Sequence, residues 1–158
     1  GVKLTGAQNS FYIDDESISL PLAEEVAKTG KLLAFHIGAD EYDFTHPYRA
    51  MKVAKRFPET TILLVHMGGS GIPDLSKACI EVAKECPNVH LVGSNIGWKK
   101  VISAIRELGA ERVSFGSDLP FSDMHADLEA YKAFLSDYFT QKEKEFVLGK
   151  NIERVFRL

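Results

Sequence analysis

Five short apolar runs recur along the chain and form its most regular pattern. They are rich in aliphatic and β-branched residues and span 2–4, 32–37, 61–67, 89–94 and 112–117. Their centres lie about 23 to 31 residues apart, and a stretch with helical periodicity separates each run from the next. Strands that alternate with helices in this way predict an α/β fold with a parallel sheet, because each crossover returns the chain to the same end of the sheet.

The runs are continuously apolar instead of alternating between apolar and polar positions, as TILLVHM at 61–67 shows. This pattern is typical of strands that are covered on both faces. The C-terminal part, from 124 to 158, predicts two or three further helices. No linker or low-complexity tract interrupts the chain, so we expect residues 1–158 to form a single domain.

Composition narrows the range of partners. Hydrophobic residues make up 45% of the 158 residues and charged residues 26%, which is ordinary for a globular domain. The formal net charge of -3 gives no sign of a basic face for nucleic acid. No apolar run approaches the ~20 residues that span a bilayer. We therefore expect neither nucleic-acid nor membrane partners, a cytoplasmic location, and reduced, non-functional thiols at Cys79 and Cys86.

Residues with useful chemistry stand at the ends of four runs. In parallel α/β folds the loops at the carboxyl ends of the strands carry the ligand sites. Imidazole and carboxylate groups are ligands for zinc and similar ions, and glycines allow backbone to approach a small ligand. The residues concerned are His36, His66 with Gly68 and Gly69, Ser94 with Asn95, and Asp118.

Each of these residues also has a purely structural interpretation. A histidine at a strand end is often hydrogen-bonded locally, and Asp118 before Leu119 and Pro120 could cap the next segment. The HMGG stretch could form only a tight turn. The residues by themselves leave a metal or catalytic site and a structural explanation equally open.

The sequence gives weaker support for a functional role of the other polar residues. His46 precedes Pro47 at a predicted helix start, which favours a capping role, and His90 lies at the start of its run, which favours a structural one. His125 could line the mouth of the site. Lys3 could point into a barrel, where a carboxylated lysine can bridge two metals.

Six motifs, in this order and spacing, resemble the amidohydrolase-related (amidohydrolase 2) family of TIM-barrel enzymes, which includes metal-dependent hydrolases and non-oxidative decarboxylases. The motifs are GVKL (1–4), FHIG (35–38), RFPETTILLVHMGG (56–69), CPNVHLVGS (86–94), ERVSFGSDLPF (111–121) and LGKNIERVFRL (148–158). They resemble strands four to eight and the closing helix of the family. The resemblance implies a (β/α)8 TIM-barrel type of fold, with the last five βα units and the C-terminal helices in this chain.

The resemblance also implies roles for individual residues. His36 and Asp118 would bind a divalent metal ion, with zinc as the first expectation and manganese as the alternative. Asp118 would also take the proton from the attacking water, and His66 would polarise the substrate or hold the water. A small-molecule substrate would contact the remaining polar and glycine positions, Ser94, Asn95, Gly68 and Gly69.

The chain departs from the family pattern in one respect. Relatives supply two more metal ligands from an H-x-H motif on the first strand, whereas the five histidines here stand at 36, 46, 66, 90 and 125. A complete barrel takes about 250 residues, and five strands leave two edges unpaired. We therefore expect the C-terminal part of a barrel, whose edges are covered by a homo-oligomer or by a missing N-terminal segment.

Three functions follow as hypotheses. The first is metal-assisted hydrolysis of a small amide, ester or lactone. The second is decarboxylation of a small carboxylic acid on the same fold. The third is a non-catalytic fragment or subunit that lacks a complete metal site.

Overall fold

Five parallel strands, arranged in the order of the sequence, form one sheet. The computed structural model describes residues 1–38, 41–69 and 73–156. The strands are β1 (Val2–Leu4), β2 (Leu33–His36), β3 (Ile62–Val65), β4 (Val89–Gly93) and β5 (Val113–Phe115). The α-helices are α1 (Ser19–Thr29), α2 (Pro47–Arg56), α3 (Ser76–Glu85), α4 (Trp98–Leu108), α5 (Met124–Tyr138), α6 (Gln141–Glu145) and α7 (Asn151–Phe156).

The predicted order of strands and helices is confirmed, and the strands are shorter than the apolar runs. The run at 61–67 leaves the sheet after Val65, because His66 and Met67 take positive φ angles of 71° and 48° and enter a tight 3-10 turn. Extended backbone cannot continue through such angles. The final two residues of the closing motif, 157 and 158, lie outside the described residues.

One face of the sheet is fully covered and the other is partly covered, whereas the continuous apolar runs predict cover on both. One face packs against the helices and contains the large, fully buried side chains, such as Leu33, Phe35 and Leu64. The other face carries a smaller cluster of Leu32, Ala34 and Leu63, with Val65, Val92 and Val155 packed against it. Val155 belongs to α7, so the C-terminal helix contributes to the cover of this second face.

Polar side chains secure the amino-terminal edge of the sheet by bonding to backbone carbonyls. Asn88 donates from Nδ2 to three carbonyl oxygens, and Asn151 donates from Nδ2 to two. Arg112 donates from its guanidinium to three more. The acceptors are Ala54, Phe57 and Thr60 for Asn88, Ala110 and Val113 for Asn151, and Ala83, Cys86 and Val89 for Arg112. Because carbonyls there would otherwise be buried without donors, these bonds fix where the helices end and the strands begin.

Two minor predictions agree with the structure. His46 caps α2, since its Nδ1 accepts a hydrogen bond from the backbone N–H of Tyr48 at 3.3 Å. Cys79 and Cys86 are buried free thiols, and burial raises the pKa of each. In the described part of the chain, none of the helices has the length and hydrophobicity that a membrane crossing requires.

His90 lies on β4 level with Leu63 of β3, and its Nδ1 is buried without a hydrogen-bond partner among the described residues. Burial, together with the nearby cations Arg112 and Arg154, lowers the pKa of His90 from its ordinary 6.5 to about 4. The neutral ring is therefore the form that the fold accommodates.

This lowered pKa predicts how stability responds to acid. The unfolded chain takes up a proton at His90 near pH 6.5 and the folded chain only near pH 4, so the free energy of unfolding should decrease as pH falls between these values. The variant His90→Gln removes this titration and should show a shallower decrease. Denaturant titrations from pH 4 to pH 8 measure both curves, and parallel curves would contradict the prediction.

Candidate active site

The register of the sheet brings the predicted polar residues to one edge. His36 pairs with Val65, Val65 pairs with Val92, and Gly93 pairs with Phe115. Strands β3, β4 and β5 therefore end at similar heights in the sheet. The residues that follow them include His66, Ser94 and Asp118. We call this carboxyl-terminal edge of the sheet, with those residues and His36, the rim.

Three of the predicted site residues come together on the rim. The imidazole rings of His36 and His66 meet edge to face, with centroids 4.3 Å apart and an interplanar angle of 61°. The Nε2 atom of His66 lies 3.8 Å from Oδ1 of Asp118. This distance is too long for a direct hydrogen bond, so the two groups face each other across a gap.

His66 is the buried member of the group. Its residue is 3% exposed, and Nε2 has no hydrogen-bond partner among the described residues. On the other side of the ring, Nδ1 lies 2.9 Å from Oγ and 3.3 Å from the carbonyl oxygen of Ser94. Ser94 thus fixes one nitrogen of the ring, and the other nitrogen is directed towards Asp118.

Unusual backbone angles are concentrated at the rim. Among the described residues other than glycine, five have positive φ: Ser10, His66, Met67, Asn95 and Asp118. Four of these five lie within three residues of the end of β3, β4 or β5. Such conformations cost about 1 to 3 kcal/mol each and are frequent at functional sites. The sequence contains no clear signal for them, because only a small fraction of residues other than glycine adopt positive φ, even among Asn, Asp and His, which do so most often.

The charge state of His66 follows from its surroundings. Burial lowers the pKa of the imidazole below its ordinary value, and the positive charge of Lys3 adds to this effect. The carboxylate of Asp118 and the carbonyl of Ser94 oppose it without reversing it. Neutral His66 and the carboxylate of Asp118 can each accept a proton, which suits general-base chemistry. Lys3 contributes to the site because its charge lowers the pKa of His66.

The glycines after β2 and β3 have a clear packing role. Gly38, Gly68 and Gly69 all have positive φ, at 71°, 94° and 72°. A Cβ added to Gly38 would meet the backbone of Gly68, and one added to Gly69 would meet the carbonyl of Gly38. The loops after β2 and β3 therefore touch backbone to backbone, which only glycine permits. Substrate contact by Gly68 and Gly69 stays a prediction.

Other residues are distributed around this arrangement. Asn95 follows Ser94 and is exposed, and His125 is exposed in the first turn of α5. Lys100 on α4 was not anticipated: its Nζ lies 3.4 Å from the carbonyl oxygen of Gly69 and 3.1 Å from Asp74. No local pattern marks this lysine, because its partners lie in a loop about 30 residues earlier.

Comparison with known proteins agrees with the geometry. A family model described as amidohydrolase matches residues 1–158. The chain belongs to the amidohydrolase family. No curated protein matches this chain closely enough to count as a relative.

Solved structures confirm the TIM-barrel type of fold. An uncharacterised TIM-barrel protein from Bordetella bronchiseptica is 23% identical, with a TM-score of 0.79 over 93% of this chain and 52% of that one. A dihydroxybenzoic acid decarboxylase from Polaromonas, with bound manganese and the inhibitor 2-nitroresorcinol, is 17% identical, with a TM-score of 0.68 over 93% and 55%. A zinc-bound amidohydrolase from Burkholderia multivorans is 16% identical, with a TM-score of 0.72 over 92% and 59%. The chain thus spans somewhat more than half the length of each.

The rim can be tested for its fit to a divalent metal ion. Nitrogen and carboxylate oxygen are suitable donors, and the unpartnered Nε2 of His66 next to Asp118 is the kind of orphaned buried atom that a cation would satisfy. The number of donors is smaller than a complete site needs, since the described residues contain no group of three His, Cys, Asp or Glu side chains placed to hold a metal ion. The rim therefore fits part of a metal site.

The glycine contact predicts a difference between two substitutions. Gly38→Ala should destabilise the fold by about 2 to 4 kcal/mol, because positive-φ strain adds to a clash with the backbone of Gly68. Gly30→Ala is the matched control: Gly30 also has positive φ, at 64°, but no atom lies within 4 Å of an added Cβ. Its cost should be about 1 kcal/mol. Equal losses in denaturant titrations would exclude the backbone contact.

The electrostatics of His66 predict two opposite pKa changes. Asp118→Asn removes a charge that favours the imidazolium, so the pKa of His66 should fall further. Lys3→Met removes a charge that opposes the imidazolium, so the pKa should rise. Histidine NMR titrations of the two variants, recorded with a chelator present, measure both changes. Shifts in the same direction would show that the assigned neighbours are wrong.

Proposed function

We propose that this amidohydrolase hydrolyses a small amide, ester or lactone with the help of a divalent metal ion, zinc first and manganese as the alternative. The observation that carries the proposal is the 3.8 Å gap between Nε2 of His66 and Oδ1 of Asp118. The zinc in the Burkholderia multivorans amidohydrolase and the manganese in the Polaromonas decarboxylase support the choice of metals.

The gap supports hydrolysis because both groups that border it accept protons. Attack by water requires removal of a proton as the new bond forms, and a carboxylate or neutral imidazole can take it. The lowered pKa of His66 keeps its ring neutral at physiological pH. Asp118, with a side chain that is 23% exposed, is the member of the pair that solvent can reach.

The roles follow the positions of the groups. His36 and Asp118 would hold the ion, which when bound lowers the pKa of a water ligand towards ~7 and polarises a carbonyl. Asp118 accepts the proton of the attacking water. His66 holds this water from the buried side, by accepting a hydrogen bond at Nε2. Ser94, Asn95, Gly68 and Gly69 are proposed contacts for a small-molecule substrate.

Decarboxylation is the second candidate, because the similar Polaromonas protein is a dihydroxybenzoic acid decarboxylase. Loss of CO2 leaves a carbon that must receive a proton, so this reaction needs an acid at the rim. A histidine with a lowered pKa is a weak candidate for that acid at neutral pH. The charge state of His66 therefore favours hydrolysis as the first candidate.

The proposal also concerns what covers the two edge strands of the sheet. The first and last strands, β1 and β5, each pair on one side within the described sheet. We propose that a second copy of the chain or a further segment covers these edges and supplies the ligands that complete the metal site. A cytoplasmic location belongs to the same proposal.

The test combines metal binding with turnover. The chain is titrated with zinc and with manganese, and is then assayed against amides, esters, lactones and small aromatic acids, with release of CO2 measured separately. Asp118→Asn should abolish metal binding and lower kcat/KM for hydrolysis by about 10²- to 10⁴-fold. Asp137→Asn is the matched control, since Asp137 is an exposed aspartate on α5.

The outcomes separate the hypotheses. Release of CO2 without hydrolysis would replace the first candidate by the second. A chain that binds neither metal and turns over none of the compounds would contradict both, and would favour the non-catalytic fragment or subunit.

A further inference from the structure

Ser94 makes two contacts with the same ring nitrogen, and together they restrict where the proton of His66 can be. Nδ1 of His66 lies 2.9 Å from the hydroxyl oxygen of Ser94 and 3.3 Å from its carbonyl oxygen. A hydroxyl can donate or accept a hydrogen bond, whereas a carbonyl oxygen only accepts. The carbonyl is therefore the contact that discriminates between the two neutral tautomers.

The tautomer with hydrogen on Nδ1 satisfies both contacts, because its N–H can be shared between the hydroxyl and carbonyl oxygens. The other tautomer would direct the electron pair of Nδ1 at the carbonyl oxygen, 3.3 Å away, with no hydrogen between them. It would also place the hydrogen on Nε2, whose nearest acceptor in Asp118 is 3.8 Å away, beyond hydrogen-bond range. The contacts favour hydrogen on Nδ1.

We propose that Ser94 is a positioning residue that holds His66 in the Nδ1–H tautomer and so directs the electron pair of Nε2 across the rim towards Asp118. This inference rests on the proposed function, because it concerns the same pair of groups. It changes the role expected for Ser94, from contacting the substrate to orienting the base. Partners that fix a histidine tautomer in this way are a common feature of catalytic and metal-binding imidazoles.

The burial of Ser94 supports a positioning role. The residue is 3% exposed, which leaves little surface for a substrate. On one side, a Cβ added to Gly116 would lie 3.1 Å from Cβ of Ser94, so this glycine provides the space that Ser94 occupies. Tyr131, on α5, donates a hydrogen bond to the carbonyl of Gly93, which anchors the residue before it. Ser94 is thus held by its neighbours in the orientation that reaches His66.

The test reads the tautomer directly. Long-range ¹H–¹⁵N NMR of the histidine-labelled chain, with a chelator present, distinguishes a protonated from an unprotonated ring nitrogen. The wild-type chain should show His66 with hydrogen on Nδ1. Ser94→Ala removes the hydroxyl, which is the only one of the two contacts that could donate to an unprotonated Nδ1, and keeps the carbonyl, so hydrogen should remain on Nδ1 and the population with hydrogen on Nε2 should not rise. Ser94→Thr keeps the hydroxyl and should retain the wild-type tautomer.

Ser114→Ala is the matched control. Ser114 is also a 3% exposed serine, it lies on the adjacent strand level with Val92, and its replacement should leave the tautomer of His66 unchanged. Hydrogen on Nε2 in the wild type would overturn the proposal, and so would a larger population with hydrogen on Nε2 in Ser94→Ala, because the retained carbonyl would then not determine the tautomer. Comparable thermal unfolding of the three variants shows that the spectra report on folded protein.

Kinetics add a second readout that separates positioning from substrate binding. With a hydrolysed substrate, Ser94→Ala should lower kcat and leave KM nearly unchanged, whereas a raised KM with unchanged kcat would overturn the proposal. Failure of this inference is distinguishable from failure of the proposed function. Hydrogen on Nδ1 of His66 in a chain without turnover supports the role of Ser94 and contradicts hydrolysis; turnover that depends on Asp118, with hydrogen on Nε2 in the wild type, does the reverse.

Discussion

Parallel hydrogen bonding between β2, β3 and β4 holds His36 level with Val65 and Val65 level with Val92, and the rim depends on this register. A shift by one residue would turn each side chain to the opposite face of the sheet. His36 would then lose its edge contact with His66, and Ser94 would lose Nδ1. The large apolar side chains on the helix-packed face oppose such a shift, because it would expose them. The core therefore sets the geometry of the site.

The amino-terminal and carboxyl-terminal ends of the strands carry different kinds of polar interaction. At the amino-terminal edge, Asn88, Arg112 and Asn151 bond to backbone carbonyls, so their polar groups are used within the fold. At the rim, His66 and Asp118 face each other at a distance that no direct hydrogen bond can close. Groups satisfied internally stabilise a fold, whereas groups left facing a gap can act on a ligand. The hydrogen bonds at the amino-terminal ends of the strands stabilise the fold and so offset the cost of the positive φ angles at the rim.

The sequence predicts alternating strands and helices in a parallel sheet because periodicity and crossover length are local properties of the chain, and the resemblance of its motifs adds the TIM-barrel type of fold. It also predicts that His36, His66 and Asp118 meet at the same ends of the strands, since each stands at or just after the end of a recognisable apolar run. The contacts between them could not be predicted. Whether Nδ1 of His66 meets Ser94, or whether Gly38 touches Gly68, depends on side-chain and backbone placement between segments that are about 30 residues apart. The length of β3 was also overestimated, because a buried histidine gives no sign of a positive φ.

The left-handed backbone at His66, Asn95 and Asp118 costs stability at the rim, where the side chains of His66 and Asp118 provide the candidate chemistry. Glycine adopts these angles without the steric cost of a Cβ atom, which histidine and aspartate bear. Replacing Asp118 by glycine would relieve this strain and at the same time remove the carboxylate. A histidine and an aspartate kept at these angles point to a requirement other than folding.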